Sequence, residues 1–169
     1  MDDLYYPEFE EPVLTDAPTV YVKLDIAREY LDLAMRCYIE QRDYFCAIHL
    51  AGAAEELLGQ WLAPEDRIST AALKAHKQMT LLETGKTPSD GEARRYLNWS
   101  KNTIKHMDDG NPHIILDPVY EAGYWIEKAL NNYYKIGFPK SPTLWAFEEC
   151  RNREIVTLDP STHTEANRA

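Results

Sequence analysis

Apolar side chains recur at three- and four-residue intervals along most of this chain, and the stretch 43–62, DYFCAIHLAGAAEELLGQWL, carries the widest apolar arc. On a wheel of about 100° per residue, Leu50, Trp61, Ala54, Ala47, Leu58, Ala51, Tyr44, Leu62 and Ile48 cover nearly half of the circumference. So wide an arc needs more than one packing partner, which predicts the central helix of a bundle. Ala51, Gly52, Ala53 and Ala54 leave little side chain at its middle. Gly52 and Gly59 each cost about 1 kcal/mol against Ala in a helix interior, so their presence predicts close packing. Glu56 shares the narrow polar arc with His49 and Gln60, and Glu55 falls on the flank of the apolar one.

Upstream, Leu24, Ala27, Leu31, Ala34, Met35 and Tyr38 predict a helix over 24–41, with Asp32, Arg36 and Glu40 on its wet side. The link to 43–62 is short, which requires an antiparallel hairpin. Pro64 ends the second helix, and the less regular stretch after it predicts a short helix from Ser69 or Thr70 to Leu82, stopped at Gly85. Ser89-Asp90-Gly91-Glu92 has capping-box spacing and predicts a third long helix to about His106, before the break at 108–112. Asp117 before Pro118 starts a fourth, with Val119, Ala122, Ile126, Ala129, Leu130 and Tyr133 inward and Gly137 at its end.

The expected fold is all-α, an up-down bundle of four long helices with one or two short extra helices. Residues 20–138 would form the bundle. Residues 1–19, with Pro7, Pro12 and Pro18 among acids, read as an extended arm. Residues 139–169 read as a C-terminal extension, helical around Trp145 and Phe147 and then frayed.

Composition narrows the class. A chain of 169 residues suits one well-filled core, and eleven Tyr with four Trp argue against disorder. No run approaches the roughly 20 apolar residues of a membrane span, and MDDLYYPEFEEP lacks the basic and apolar regions of a signal peptide. Cys37, Cys46 and Cys150 are odd in number, without CxxC spacing, and read as reduced thiols, with Cys46 in the core. The expected location is the cytoplasm.

A net charge of −10 ordinarily argues against nucleic acid. Its distribution changes that picture. Asp2, Asp3, Glu8, Glu10, Glu11 and Asp16 concentrate negative charge in the arm. Between Arg67 and Lys105 the sign reverses, with Lys74, Lys77, Lys86, Arg94, Arg95 and Lys101 set against Glu83, Asp90 and Glu92.

On a wheel drawn over the third helix, Ala93, Leu97, Ile104 and Met107 face the core, while Arg95, Trp99, Asn102 and His106 fall within about 60° of one another on the outer face. Asn98 and Lys105 flank them. An outward Trp among basic and amide groups is expected to meet a partner subunit or a stacked base. The alternative is a solvated basic face with one stray aromatic.

KNTIKH at 101–106, followed by a polar loop, resembles the motif of the HEPN superfamily of helical domains. AGAAEELL in the second helix and DPVYEAGYWIEKALNNYYK in the fourth are also similar to bacterial HEPN-like proteins. The resemblance covers about residues 24–137, by helix order and length. It implies a homodimer with the motif lining a cleft between subunits, and a metal-independent endoribonuclease of toxin–antitoxin or phage-defence type. His106, Asn102 and Lys101 would be the catalytic residues, Lys101 standing where the family has Arg. His would move the proton of a 2′-hydroxyl attacking the adjacent phosphate, and the basic residue would stabilise the developing charge. Lys is a single point charge where Arg offers a two-pronged grip, and Lys101 lies about 140° from His106 on an ideal helix.

Arg95, Trp99 and Lys105 are candidate binding residues, and Glu55 is a candidate to orient His106 or Lys101. Expected partners are a second copy of the chain, RNA or a nucleotide, and an antitoxin-like protein; a membrane is not expected. The alternative is a dimeric HEPN-like module that binds without cleaving, and a looser one is a helical adaptor with no ligand. No cofactor is expected. His49 and Glu56 are too sparse for a metal site, His76, His113 and His163 have no helical ligand partners, and inward Glu-x-x-His pairs are absent. Neither a Walker loop nor GxGxxG occurs.

Overall fold

The computed structural model describes residues 20–106 and 112–158. The acidic arm, Met107, most of the polar loop after His106 and the tail carrying His163 lie outside the described residues. Among the described residues the chain is all-helical: α1 Lys23–Arg36, α2 Tyr44–Trp61, α3 Ile68–Thr84, α4 Asp90–Leu97, α5 Trp99–Lys105, α6 Pro118–Ile136 and α7 Pro142–Leu158. A π-helical turn, Cys37–Gln41, continues α1, and a 3₁₀ turn, Pro64–Asp66, precedes α3.

Most helix ends follow from local chemistry. The Asp43 carboxylate accepts from the Cys46 amide and starts α2. Ser89 and Glu92 form a full capping box at α4. Asp117 accepts from the amides of Val119 and Tyr120, at 3.0 and 3.1 Å, with Pro118 in the first turn of α6. Gly85 and Gly137 end α3 and α6 at φ of 72° and 91°, where a Cβ would be strained.

α2 packs chiefly against α6 and α1. Ala47, Ile48, Ala51, Ala54 and Leu58 of α2 meet Ala27, Leu31, Ala34 and Met35 of α1 and Ala122, Trp125, Ile126, Ala129, Leu130 and Tyr133 of α6 in one core. Trp61, expected inside, is 65% exposed at the last residue of α2. Cys46 is half-buried at the core edge, while Cys37 and Cys150 are buried.

α7 is part of that core, through Leu144, Phe147 and Cys150, so residues 142–158 are more than an appended extension. Tyr38 and Phe147 rings meet edge to face, 5.3 Å between centroids. The Tyr38 hydroxyl bonds Glu154, and Arg151 donates to Tyr38 at 3.2 Å and to Glu127 at 3.0 Å. Gly123 makes room for this guanidinium: a Cβ there would lie 2.8 Å from Arg151 Nε.

The third long helix is broken at Asn98 into α4 and α5. Asn98 sits at φ −107° and ψ 9°, in the sparsely populated bridge region. Hydrogen bonds of helical spacing persist on each side of it, from Asn98 N–H to the Arg94 carbonyl (3.1 Å) and from Asn102 N–H to the Asn98 carbonyl (2.9 Å). The expected inner set is only partly buried: Ala93 is fully inside, Leu97 and Ile104 are half-buried. α3, Ile68–Thr84, spans 17 residues, slightly longer at each end than the expected helix from Ser69 or Thr70 to Leu82.

Candidate functional site

α5 sorts the candidate residues into two groups by the direction of their side chains. Trp99 is 45% exposed at its start, and Asn102, Lys105 and His106 are exposed along and after it. Trp99, Asn102 and His106 follow one another at helical spacing on its outer side. The His106 amide donates to the Asn102 carbonyl at 3.0 Å, so the imidazole is carried by the C-cap of α5. Arg95 is exposed on α4, across the break at Asn98. Indole, amide, imidazole and ammonium groups thus face solvent from one segment.

Lys101 and Glu55 point the other way. Lys101 is 3% exposed and ion-pairs with Glu56 of α2, whose own side chain is 58% exposed. Its stem lies over Gly52, where any Cβ would overlap it. The small residues at the middle of α2 therefore admit a lysine stem. Lys101 Nζ stands 4.8 Å from the centre of the Trp125 ring, and Lys128 Nζ stands 3.9 Å from the same point.

Glu55 is buried beside these cations. Burial pushes its carboxyl above the ordinary range, against the opposing pull of Lys128 and Lys101. Burial likewise lowers Lys128, with Glu55 pulling it back up. Trp125 donates its indole N–H to Ser100 Oγ at 3.0 Å, and Ser100 donates to Glu121 at 2.6 Å. Asn132, fully buried, donates to the Glu55 carbonyl at 3.1 Å and accepts the Ile68 amide at 3.0 Å. It thereby satisfies an orphan donor at the start of α3, where Arg67 supplies no side-chain cap.

Sequence reasoning missed Lys128, Trp125, Ser100, Glu121 and Asn132. One signal was available, because Lys128 and Asn132 fall within about 60° of Trp125 on the α6 wheel, at the edge of its apolar arc. Polar groups on that edge were candidates for a buried network.

Among the described residues, no group of three or more His, Cys, Asp or Glu is placed to hold a metal ion. No described helix is long and apolar enough to cross a membrane. No protein-family model, curated protein or solved structure matches the chain.

Proposed function

We propose that this chain is a HEPN-like module, an up-down four-helix bundle acting as a homodimer in the cytoplasm, that binds RNA or a nucleotide through the outer side of α5. The supporting observation is the outward set Trp99, Asn102, Lys105 and His106 on one short segment. An exposed indole stacks on a base, an amide and an imidazole hydrogen-bond, and an ammonium attracts phosphate. Arg95 adds charge nearby. The system type that fits is toxin–antitoxin or phage defence, with an antitoxin-like protein as a further partner.

Binding without cleavage is the better-supported form, because Lys101 is directed inward to Glu56 and away from His106. A phosphate at the imidazole would lack Lys101, the cation that the motif assigns to its developing charge. The exposed imidazole of His106 supports a second reading, metal-independent cleavage of RNA with Lys101 swung outward.

The test is retention of a labelled single-stranded oligoribonucleotide at low salt, by native protein and by Trp99→Ala. Loss of one stacked base should weaken binding by about 1–3 kcal/mol. No retention by the native protein would overturn the reading. Products with 2′,3′-cyclic phosphate ends, absent with His106→Ala, would select cleavage. Light scattering that finds only the 19.5 kDa species would remove the dimer.

A further inference from the structure

We propose that the ammonium groups of Lys101 and Lys128, over the indole of Trp125, form a binding site for one phosphate-type oxyanion, which the carboxylate of Glu56 holds shut. Lysines are almost never buried without a partner, yet these two are 3% and 6% exposed. Their surroundings are unequal. Lys101 is paired with Glu56. Lys128 makes no hydrogen bond or ion pair among the described residues; it lies over ring faces, Trp125 at 3.9 Å and Tyr124 at 5.4 Å, and feels Glu55 without bonding it. No fully buried side-chain nitrogen or oxygen lacks a partner among the described residues, so this ammonium keeps a contact with solvent and its donors are open to an anion arriving from water.

The charge count points the same way. Two interior cations face one interior carboxylate, Glu55, and burial lifts that carboxyl toward its neutral form. The missing negative charge comes from Glu56, which reaches in from the surface, its side chain 58% exposed. Such a carboxylate can itself rotate into water, and the buried Lys101 it leaves behind then needs another anion in its place. An anion with several acceptor oxygens is the group that would then take donors from both lysines, whose ammonium groups stand 4.8 and 3.9 Å from one indole ring. Ser100 cannot contribute, since its hydroxyl already accepts from Trp125 and donates to Glu121. Phosphate-type anions fit better than a second carboxylate, because their oxygens diverge and the two ammonium groups approach from different helices, α5 and α6. Glu56 acts as the resident mimic of the ligand.

This does not rest on the nucleic-acid reading, and inorganic phosphate alone is the probe. Phosphate affinity is measured by titration calorimetry against sodium chloride of equal ionic strength, for native protein, Glu56→Gln, Glu56→Gln/Lys101→Met and Glu56→Gln/Lys128→Met. Gln keeps the shape of Glu56 without its charge, and Met keeps the length of Lys in an apolar setting; far-UV circular dichroism checks the fold. Freeing the site should tighten phosphate binding about tenfold in Glu56→Gln, and either Met substitution should abolish it. Phosphate binding that survives both Met substitutions and is lost with Lys105→Ala would belong to the outer face of α5 and would overturn the proposal. Absence of phosphate-specific binding by Glu56→Gln overturns the proposal, as does binding retained in either Met variant.

Discussion

Gly52 of α2 and Lys101 of α5 occupy one another's space: a Cβ on Gly52 would overlap Lys101 Cδ and come within 3.1 Å of Cγ. Gly52→Ala should therefore destabilise the native protein by about 1–3 kcal/mol, the usual cost of overpacking. In a Lys101→Ala background the obstacle is gone. The same change should then stabilise by up to about 1 kcal/mol, from helix propensity alone. Urea denaturation of the four proteins gives both signs, and a cost in both backgrounds would clear Lys101 as the cause.

Gly91, in the first turn of α4, is the counter-case. Nothing lies within 4 Å of a Cβ built there, and its φ is not positive. Gly91→Ala should stabilise by about 0.4–1 kcal/mol. Gly137→Ala, at φ 91°, should destabilise. A pair of thermal melts decides whether backbone conformation or simple openness sets the outcome.

Phe147 is 2% exposed and joins α7 to the ring of Tyr38. Phe147→Ala should cost about 3–5 kcal/mol and lower the midpoint of the whole cooperative transition. A separate early transition for α7, with the main one unmoved, would mean that α7 folds apart from the α1–α2–α6 core.

Glu55 sets a pH dependence whose sign follows from its environment. Burial raises its carboxyl above the ordinary 4.5, despite Lys128 and Lys101. The folded state then holds the proton more tightly than the unfolded one. Stability should fall as pH rises from 4.5 through the folded value. Glu55→Gln should abolish that fall, so its stability relative to the native protein should grow with pH across this window. Lys128, lowered by burial, has the mirror effect: its contribution rises as pH climbs toward its ordinary 10.5, and Lys128→Met should remove the rise. Denaturation midpoints with parallel pH profiles for native and Glu55→Gln would refute the account.

What was legible in the sequence was mainly local. Asp117-Pro118, Ser89 with Glu92, and Gly85 and Gly137 act within a turn of their own positions, and each ends or starts a helix as expected. The apolar stripes of α1 and α6 named most of the residues that pack against α2. The break at Asn98 was not legible, because neither Pro nor Gly marks it. The exposure of Trp61 depends on where α2 ends relative to its neighbours, which periodicity does not contain. Of the candidate site, the outward set was readable from wheel angles, and the angle of about 140° between Lys101 and His106 agrees with their opposite directions. The network behind Lys101 was not readable. It draws Glu55 and Glu56 from α2, Ser100 from α5, and Trp125, Lys128 and Asn132 from α6, and only tertiary packing joins them.

The buried residues of α5 are Ser100 and Lys101, a hydroxyl and an ammonium. Apart from a half-buried Ile104 and the stem of Lys101, α5 is docked through polar groups, so it exposes little apolar surface when it lifts away. Such an opening is only weakly sensitive to denaturant, because that sensitivity scales with the surface newly exposed. Backbone amides of α5 should exchange with deuterium through small local openings, long before those of α2 and α6, which are released only by global unfolding. The outward residues Trp99, Asn102 and His106 thereby sit on a loosely held segment tied to the bundle mainly through Ser100 and Lys101, and they are free to change without endangering the fold.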